Sequence, residues 1–250
     1  MLDFNLRPTF AERLNQHIDE ALQRERANQK EREYLGTSRL GVACDRALQF
    51  EFLHTPCDDA FSGQVLRIFA AGHVFEDLAV GWLRLAGIEL FTKRRDGQPF
   101  GFSVANGRIR GHVDGIINNA PVDLGFSFPM LWECKSLNAK SWKDTVKKGL
   151  ADSKPVYAAQ VAIYQAYMEA SVPGISKNPA LFTAINKDTA EIYHELVPFD
   201  VTRAQKASDR AVRILKASDH QEILARFTSD PEHFECRFCP YRKTCWGDQA

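Results

Sequence analysis

A chain of 250 residues with 44% hydrophobic content can bury a sizeable core, and none of its apolar runs is long enough to cross a bilayer as a helix. Its 32 basic and 32 acidic side chains cancel to zero formal charge, which excludes a polycation that coats nucleic acid and leaves a local basic groove as the means of holding phosphates. Six cysteines are too few and too irregularly spaced for a disulfide scaffold, and no signal-like apolar segment opens the sequence, so a reducing cytoplasm is the expected setting.

Thr9 followed by Glu12 has the spacing of a capping box and predicts a charged helix, with a weak apolar stripe, to about Tyr34. A loop over Gly36 to Leu40 leads to Cys44, which opens the apolar segment Ala47 to Leu53; a second loop spans His54 to Gly63. Over Gln64 to Ala86, Leu66, Phe69, Ala70, Val74, Leu78, Trp82 and Leu85 recur at helical spacing, stopping at Gly87. This helix carries Glu76, with His73 one turn before it.

From Ile88 the pattern turns to strands. Arg108 to Ile117 alternates polar and apolar residues, and Met130 to Lys135 reads as its apolar partner across the turn-rich stretch Asn118 to Pro129. Asp114 stands on the first strand, Glu133 and Lys135 on the second. Because strand side chains alternate, Glu133 and Lys135 share a face while Trp132 and Cys134 point the other way. Lys140, Lys143, Lys147 and Lys148 follow, with Trp142 among them as a stacking surface, and Arg46, Arg94 and Arg95 extend this DNA-binding path; a solvated charged face is the alternative. Tyr157 to Tyr167 reads as a helix with Gln160 and Tyr164 one turn apart. After the Pro173-Gly174 and Asn178-Pro179 breaks, Ala180 to Asn186 and Glu191 to Phe199 form a hairpin turning at Lys187-Asp188, and Asp200 caps a helix reaching about Leu224.

Two carboxylates and an amine at the ends of neighbouring strands are the minimum equipment for metal-assisted cleavage of a phosphodiester. A hard divalent cation binds phosphate oxygens and lowers the pKa of a water, and carboxylates suit such a cation. On the E-x-K spacing alone, a strand-end ion pair on a solvated face is an equal alternative. In order, however, Gly72-x-x-x-Glu76, Gly111-His112-Val113-Asp114-Gly115, Glu133-Cys134-Lys135 and Gln160-x-x-x-Tyr164 resemble the motif series of the PD-(D/E)XK nuclease superfamily, in its RecB-like branch. The resemblance implies that Glu76, Asp114, Glu133 and the backbone carbonyl of Cys134 hold Mg2+ or Mn2+. It implies that Lys135 assists the attacking water and that Gln160 and Tyr164 orient the site and the DNA. The helical position is often histidine in that branch; here it is Glu76, with His73 beside it as a further candidate.

Cys236, Cys239 and Cys245 form a C-x2-C-x5-C cluster, and Cys44 is the best candidate for a fourth ligand. Four thiolates suit zinc or an iron-sulfur cluster, and spacing does not choose between them. One cysteine before the core and three after it resembles the iron-sulfur subgroup of RecB-like nucleases, which includes the AddB nuclease domain and CRISPR-associated spacer-acquisition nucleases. That implies a [4Fe-4S] cluster that clasps distant parts of the chain by closing a long loop. Cys57 and Cys134 remain as shielded thiols.

The expected fold is α/β, a restriction-endonuclease-like core with a central mixed β-sheet flanked by helices. The expected organisation is one nuclease domain over 1–250: a helical region 1–63 with the first cluster cysteine, the core 64–200, and a C-terminal helix with the cysteine loop 201–250. The expected function is a divalent-metal-dependent DNA exonuclease acting on DNA with a free end or a single-stranded portion, away from membranes. The alternatives are a CRISPR- or phage-associated accessory nuclease that needs recombination, CRISPR or phage protein partners, and a catalytically silent, zinc-bound DNA-binding protein.

Overall fold

The computed structural model describes residues 8–247. Thr9 caps α1 (Phe10–Ala27) through reciprocal hydrogen bonds with Glu12, so the capping box forms. The helix stops at Ala27, short of the expected Tyr34. None of its side chains is buried, so no packed face carries the helix past its local propensity. β1 (Leu35–Gly36) and α2 (Asp45–Phe52), capped by Cys44, precede the long α3 (Gly63–Leu85), which Ser62 caps. β2 (Glu89–Phe91), β3 (Gly101–Val104), β4 (Ile109–His112) and β5 (Gly115–Asn119) follow, then β6 (Met130–Leu137). Asn138 caps α4 (Ala139–Ser153), which breaks at Gly149 and leads into α5 (Pro155–Met168). The hairpin of β7 (Ala180–Asn186) and β8 (Ile192–Val197) precedes α6 (Val201–Asp219) and two short turns, α7 (Phe234–Arg237) and α8 (Arg242–Trp246).

The strands build two sheets, a smaller one in the order β1-β4-β3 and a larger one in the order β2-β5-β6-β7-β8. In the larger sheet β6 and β7 run parallel and the other neighbours antiparallel, so the sheet is mixed, as expected. Every residue of β7 is buried, because helices cover both faces of the sheet there. On one face α3 sets Ala79, Val80 and Leu83 into a cluster with Trp132, Cys134 and Leu181. On the other, Val161 of α5 and Ala211 and Ile214 of α6 join Leu131, Phe182 and Ala184.

Two expectations are corrected here. The stretch Arg108 to Ile117 is not one strand: β4 belongs to the smaller sheet and β5 to the larger, and the chain crosses between them at Val113 and Asp114. Val113 donates its N–H to the Phe100 carbonyl (3.0 Å), while the Asp114 carboxylate accepts the N–H of Cys134 (2.8 Å) where the β5–β6 pairing ends. A side-chain acceptor replaces a backbone one, and the alternating pattern that suits one strand suits both halves equally. The helix after Asp200 ends at Asp219 rather than near Leu224. Gln221 turns to φ 57°, and Leu224 is held instead by Gln49, whose Oε1 accepts the Leu224 N–H at 2.9 Å.

The crossing depends on a close approach at Gly111. A Cβ there would meet the Thr37 hydroxyl, stand 2.6 Å from Phe102 Cζ and 2.9 Å from Tyr164 Cε1. Gly111→Ala is therefore expected to cost about 1–3 kcal/mol by overpacking, read as a lowered midpoint in chemical denaturation with an unchanged slope.

Candidate active site

β6 is central in its sheet, so its side chains are covered on both faces, and Glu133 is fully buried. A lone carboxylate in that position is costly unless something pairs with it. Lys135, two residues on and therefore on the same face, contacts Glu133 Oε1 through its ammonium. From α5, Gln160 donates its amide to the same oxygen at 2.6 Å. Tyr164, one helical turn further, lies beside Gln160 and packs edge-on against Phe102 at 5.8 Å. Burial drives the Tyr164 phenol well above its usual range, so it stays protonated. Burial would depress the Lys135 ammonium, but Glu133 and Asp114 more than offset it and hold the amine charged.

Asp114 reaches the same place from the crossing between the sheets, with Oδ2 at 4.0 Å from Lys135 Nζ. Glu76 comes from α3, on the stretch between Gly72, which faces Ser136 of β6, and Ala79, which packs on the sheet. Burial, and after it the charge of Asp114, raise its carboxyl to about 7, with Lys135 pulling the other way. Burial and the Asp114 charge likewise push the Glu133 carboxyl up, against Lys135. Cys134 points to the opposite face as a buried thiol that burial raises far above its ordinary value. His73 is largely exposed, 3.9 Å from Glu76 Oε2. Sequence spacing did not single out Tyr157, whose ring lies 5.4 Å from Lys135 Nζ; its place one turn before Gln160 was the available signal.

The chemistry of this donor set fits a hard cation. Three carboxylates feel one another's charge, and Glu133 Oε2 is buried without a hydrogen-bond partner. Among the described residues, no three His, Cys, Asp or Glu side chains are arranged to hold a metal ion as they stand, and Lys135 contacts the near oxygen of Glu133.

The proposed DNA contacts separate into two groups. Lys140, Lys143 and Lys147 lie exposed along α4, and Lys148 pairs with Asp144 at 2.7 Å. Trp142 is half-buried: its indole N–H donates to the Ala184 carbonyl at 3.0 Å and its ring packs on the core. Arg46 is also held within the protein. Its guanidinium donates to the Leu224 carbonyl at 2.5 Å and lies 3.5 Å from Cys245 Sγ.

That arginine belongs to a second cluster. Cys44, Cys236, Cys239 and Cys245 line one enclosed cavity, with Phe50, Tyr241 and Trp246 around them. Burial, more than the neighbouring thiols, raises Cys236 and Cys239, so a shared cation is what would favour their thiolates. The thiols surround the cavity without closing into a ligand shell. The segments on either side are also joined directly. Asp58 accepts the N–H groups of Lys243 (2.6 Å) and Thr244 (3.1 Å), and Phe50 meets Tyr241 edge-on at 5.5 Å. Cys57 is exposed rather than shielded, beside the Tyr241 hydroxyl.

No protein-family model matches the chain, and no curated protein does. Among solved structures it is similar to LHK-Exo, an alkaline exonuclease from Laribacter hongkongensis, with TM-score 0.51 and 12% identity over 81% of this chain and 93% of that one. The complex of LHK-Exo with dAMP matches at TM-score 0.51 and 12% identity, over 82% and 93%. SSO0001 aligns over 91% of this chain and 94% of its own, at 15% identity and TM-score 0.47. The chain shares the fold of LHK-Exo. The α/β architecture with a mixed sheet between helices is thus the restriction-endonuclease-like one expected.

A carboxyl raised from 4.5 to about 7 binds its proton more tightly in the folded chain, so the stability it contributes is complete below pH 4.5 and disappears as pH rises through about 7. In EDTA, the thermal midpoint of the wild type is expected to fall over that window. In Glu76→Gln the fall should be shallower, as thermal melts across the pH series would read.

Proposed function

We propose that this protein is a divalent-metal-dependent deoxyribonuclease of the PD-(D/E)XK type, working as an exonuclease, with a [4Fe-4S] cluster on Cys44, Cys236, Cys239 and Cys245. The observation that carries the reading is the buried Glu133, held between the Lys135 ammonium and the Gln160 amide, with Asp114 at its edge. A structural ion pair would need only one carboxylate for one amine. Here Glu76, Asp114 and Glu133 crowd one amine, and the surplus negative charge suits a cation.

Glu76, Asp114, Glu133 and the Cys134 carbonyl would hold Mg2+ or Mn2+, which supplies Lewis acidity towards the phosphate and the water. Lys135 keeps its proton under the field of Glu133 and Asp114. It can therefore donate a hydrogen bond to the attacking water and stabilise charge as it builds on the phosphate. Gln160 fixes the orientation of Glu133, and Tyr164 fixes Gln160. An exonuclease, rather than a site-specific endonuclease, is supported by the motif resemblance and by the fold shared with LHK-Exo. Four cysteines on one cavity, set between two segments far apart in sequence, support a cluster whose role is structural.

Anaerobically purified protein, incubated with end-labelled linear and circular DNA, should degrade the linear form with Mn2+ and neither form with EDTA. Turnover of circular DNA at the same rate would sink the exonuclease assignment. Asp114→Asn and Lys135→Ala should each lower cleavage by about 10^2 to 10^3 fold while leaving colour and melting cooperativity intact. Cys239→Ser should bleach a brown protein and reduce its soluble yield; a colourless wild type containing zinc would replace the cluster with that ion.

A further inference from the structure

Resting on the nuclease reading, we infer that the outer face of the smaller sheet receives the DNA strand, with Arg32 and Arg110 gripping its phosphates as it runs towards Asp114. The alternation of β4 buries Ile109 and Gly111 and turns Arg110 outward. Across the parallel β1–β4 pair, Gly36 stands opposite Arg110. Gly36 has no side chain, and Arg32 uses the space: a Cβ on Gly36 would lie 3.5 Å from Arg32 Nη1. The Arg110 guanidinium rests over the Tyr34 ring at 5.1 Å and donates to the Gly107 carbonyl at 2.8 Å. Burial, and after it the charges of Arg32 and Arg110, lower the imidazole of His112, two residues beyond Arg110 on the same face of β4.

The charge of the pair is not cancelled by an ion pair. Arg108, two positions before Arg110, is locked to Asp219 by two hydrogen bonds at 2.9 and 2.6 Å. Arg39 pairs with Glu51 and Arg94 with Asp96. Among the described residues, no carboxylate lies within ion-pair distance of Arg32 or Arg110. In a chain of zero formal charge, two neighbouring guanidiniums without an ion pair, that of Arg110 braced by an aromatic ring and a carbonyl, form a local anion site. Four residues separate Arg110 from Asp114, so their Cα atoms are at most about 14 Å apart, within reach of phosphates next to the one being cleaved. Arg32 and Arg110 lie far apart in sequence, so only the pairing of β1 with β4 brings them together.

The test measures binding and cleavage separately. Affinity for a fluorescent single-stranded DNA oligonucleotide is titrated in EDTA over a salt series for the wild type, for the Arg32→Gln, Arg110→Gln pair, and for the charge-keeping Arg32→Lys, Arg110→Lys pair. The Gln pair should bind on the order of tenfold more weakly at low salt, with the slope of log affinity against log salt shallower by about 1.4. The Lys pair should keep the wild-type slope, which separates lost charge from lost folding. An unchanged affinity and slope in the Gln pair overturns the path, whether or not the wild type cleaves. The same loss in the Gln pair, beside a wild type that binds but never cleaves with Mn2+, supports the path and overturns the nuclease reading alone.

Discussion

The buried carboxylate of Glu133 is the constraint from which the neighbouring arrangement follows. In the middle of a sheet covered on both sides, an anion is tolerated only with partners that arrive from fixed directions. One comes from its own strand, two residues along. Another comes from α5, which must therefore lie over β6 at a set height, with Tyr164 behind Gln160. The bare backbone of Gly111 gives Tyr164 its place. Sheet and helix are thus tied through one carboxylate oxygen, with the crossing strand held to β6 beside it at the Cys134 N–H, and the packing of the core on that face supports the same alignment.

The second cluster works on different physics. Around the cysteines, carbonyl groups and aromatic edges join α2 and the loop after it to the last two short helices. Gln49 bonds the Glu222 carbonyl at 2.7 Å, and Arg226 lies 4.3 Å above the Trp246 ring. These contacts, and the hydrogen bonds of Asp58 to the Lys243 and Thr244 N–H groups, do not use the thiols. They bring four sulfurs to one cavity, so a ligand bound there would add to a junction already formed.

Much of this could be read from the residues in order. Helical spacing located α3 to within a residue at each end, and strand alternation put Lys135 on the same face as Glu133. The Gln160 to Tyr164 interval put both residues on one side of α5. What could not be read depended on partners distant in sequence. The crossing at Asp114 was hidden because one alternating pattern satisfies two sheets. For Trp142 and Arg46, composition shows an aromatic ring or a charge but not the carbonyl waiting for it. The end of α6 depended on Gln49, which belongs to α2.

The two-residue passage between the sheets places Asp114 in mechanical series with β4. Val113 is pinned by the Phe100 carbonyl and Asp114 by the Cys134 N–H, so there is little slack between them. A pull along β4 has only that short link in which to dissipate before it tilts the carboxylate. Tension on the smaller sheet is thereby transmitted as a change of angle at the larger one, as in a lever with a short arm.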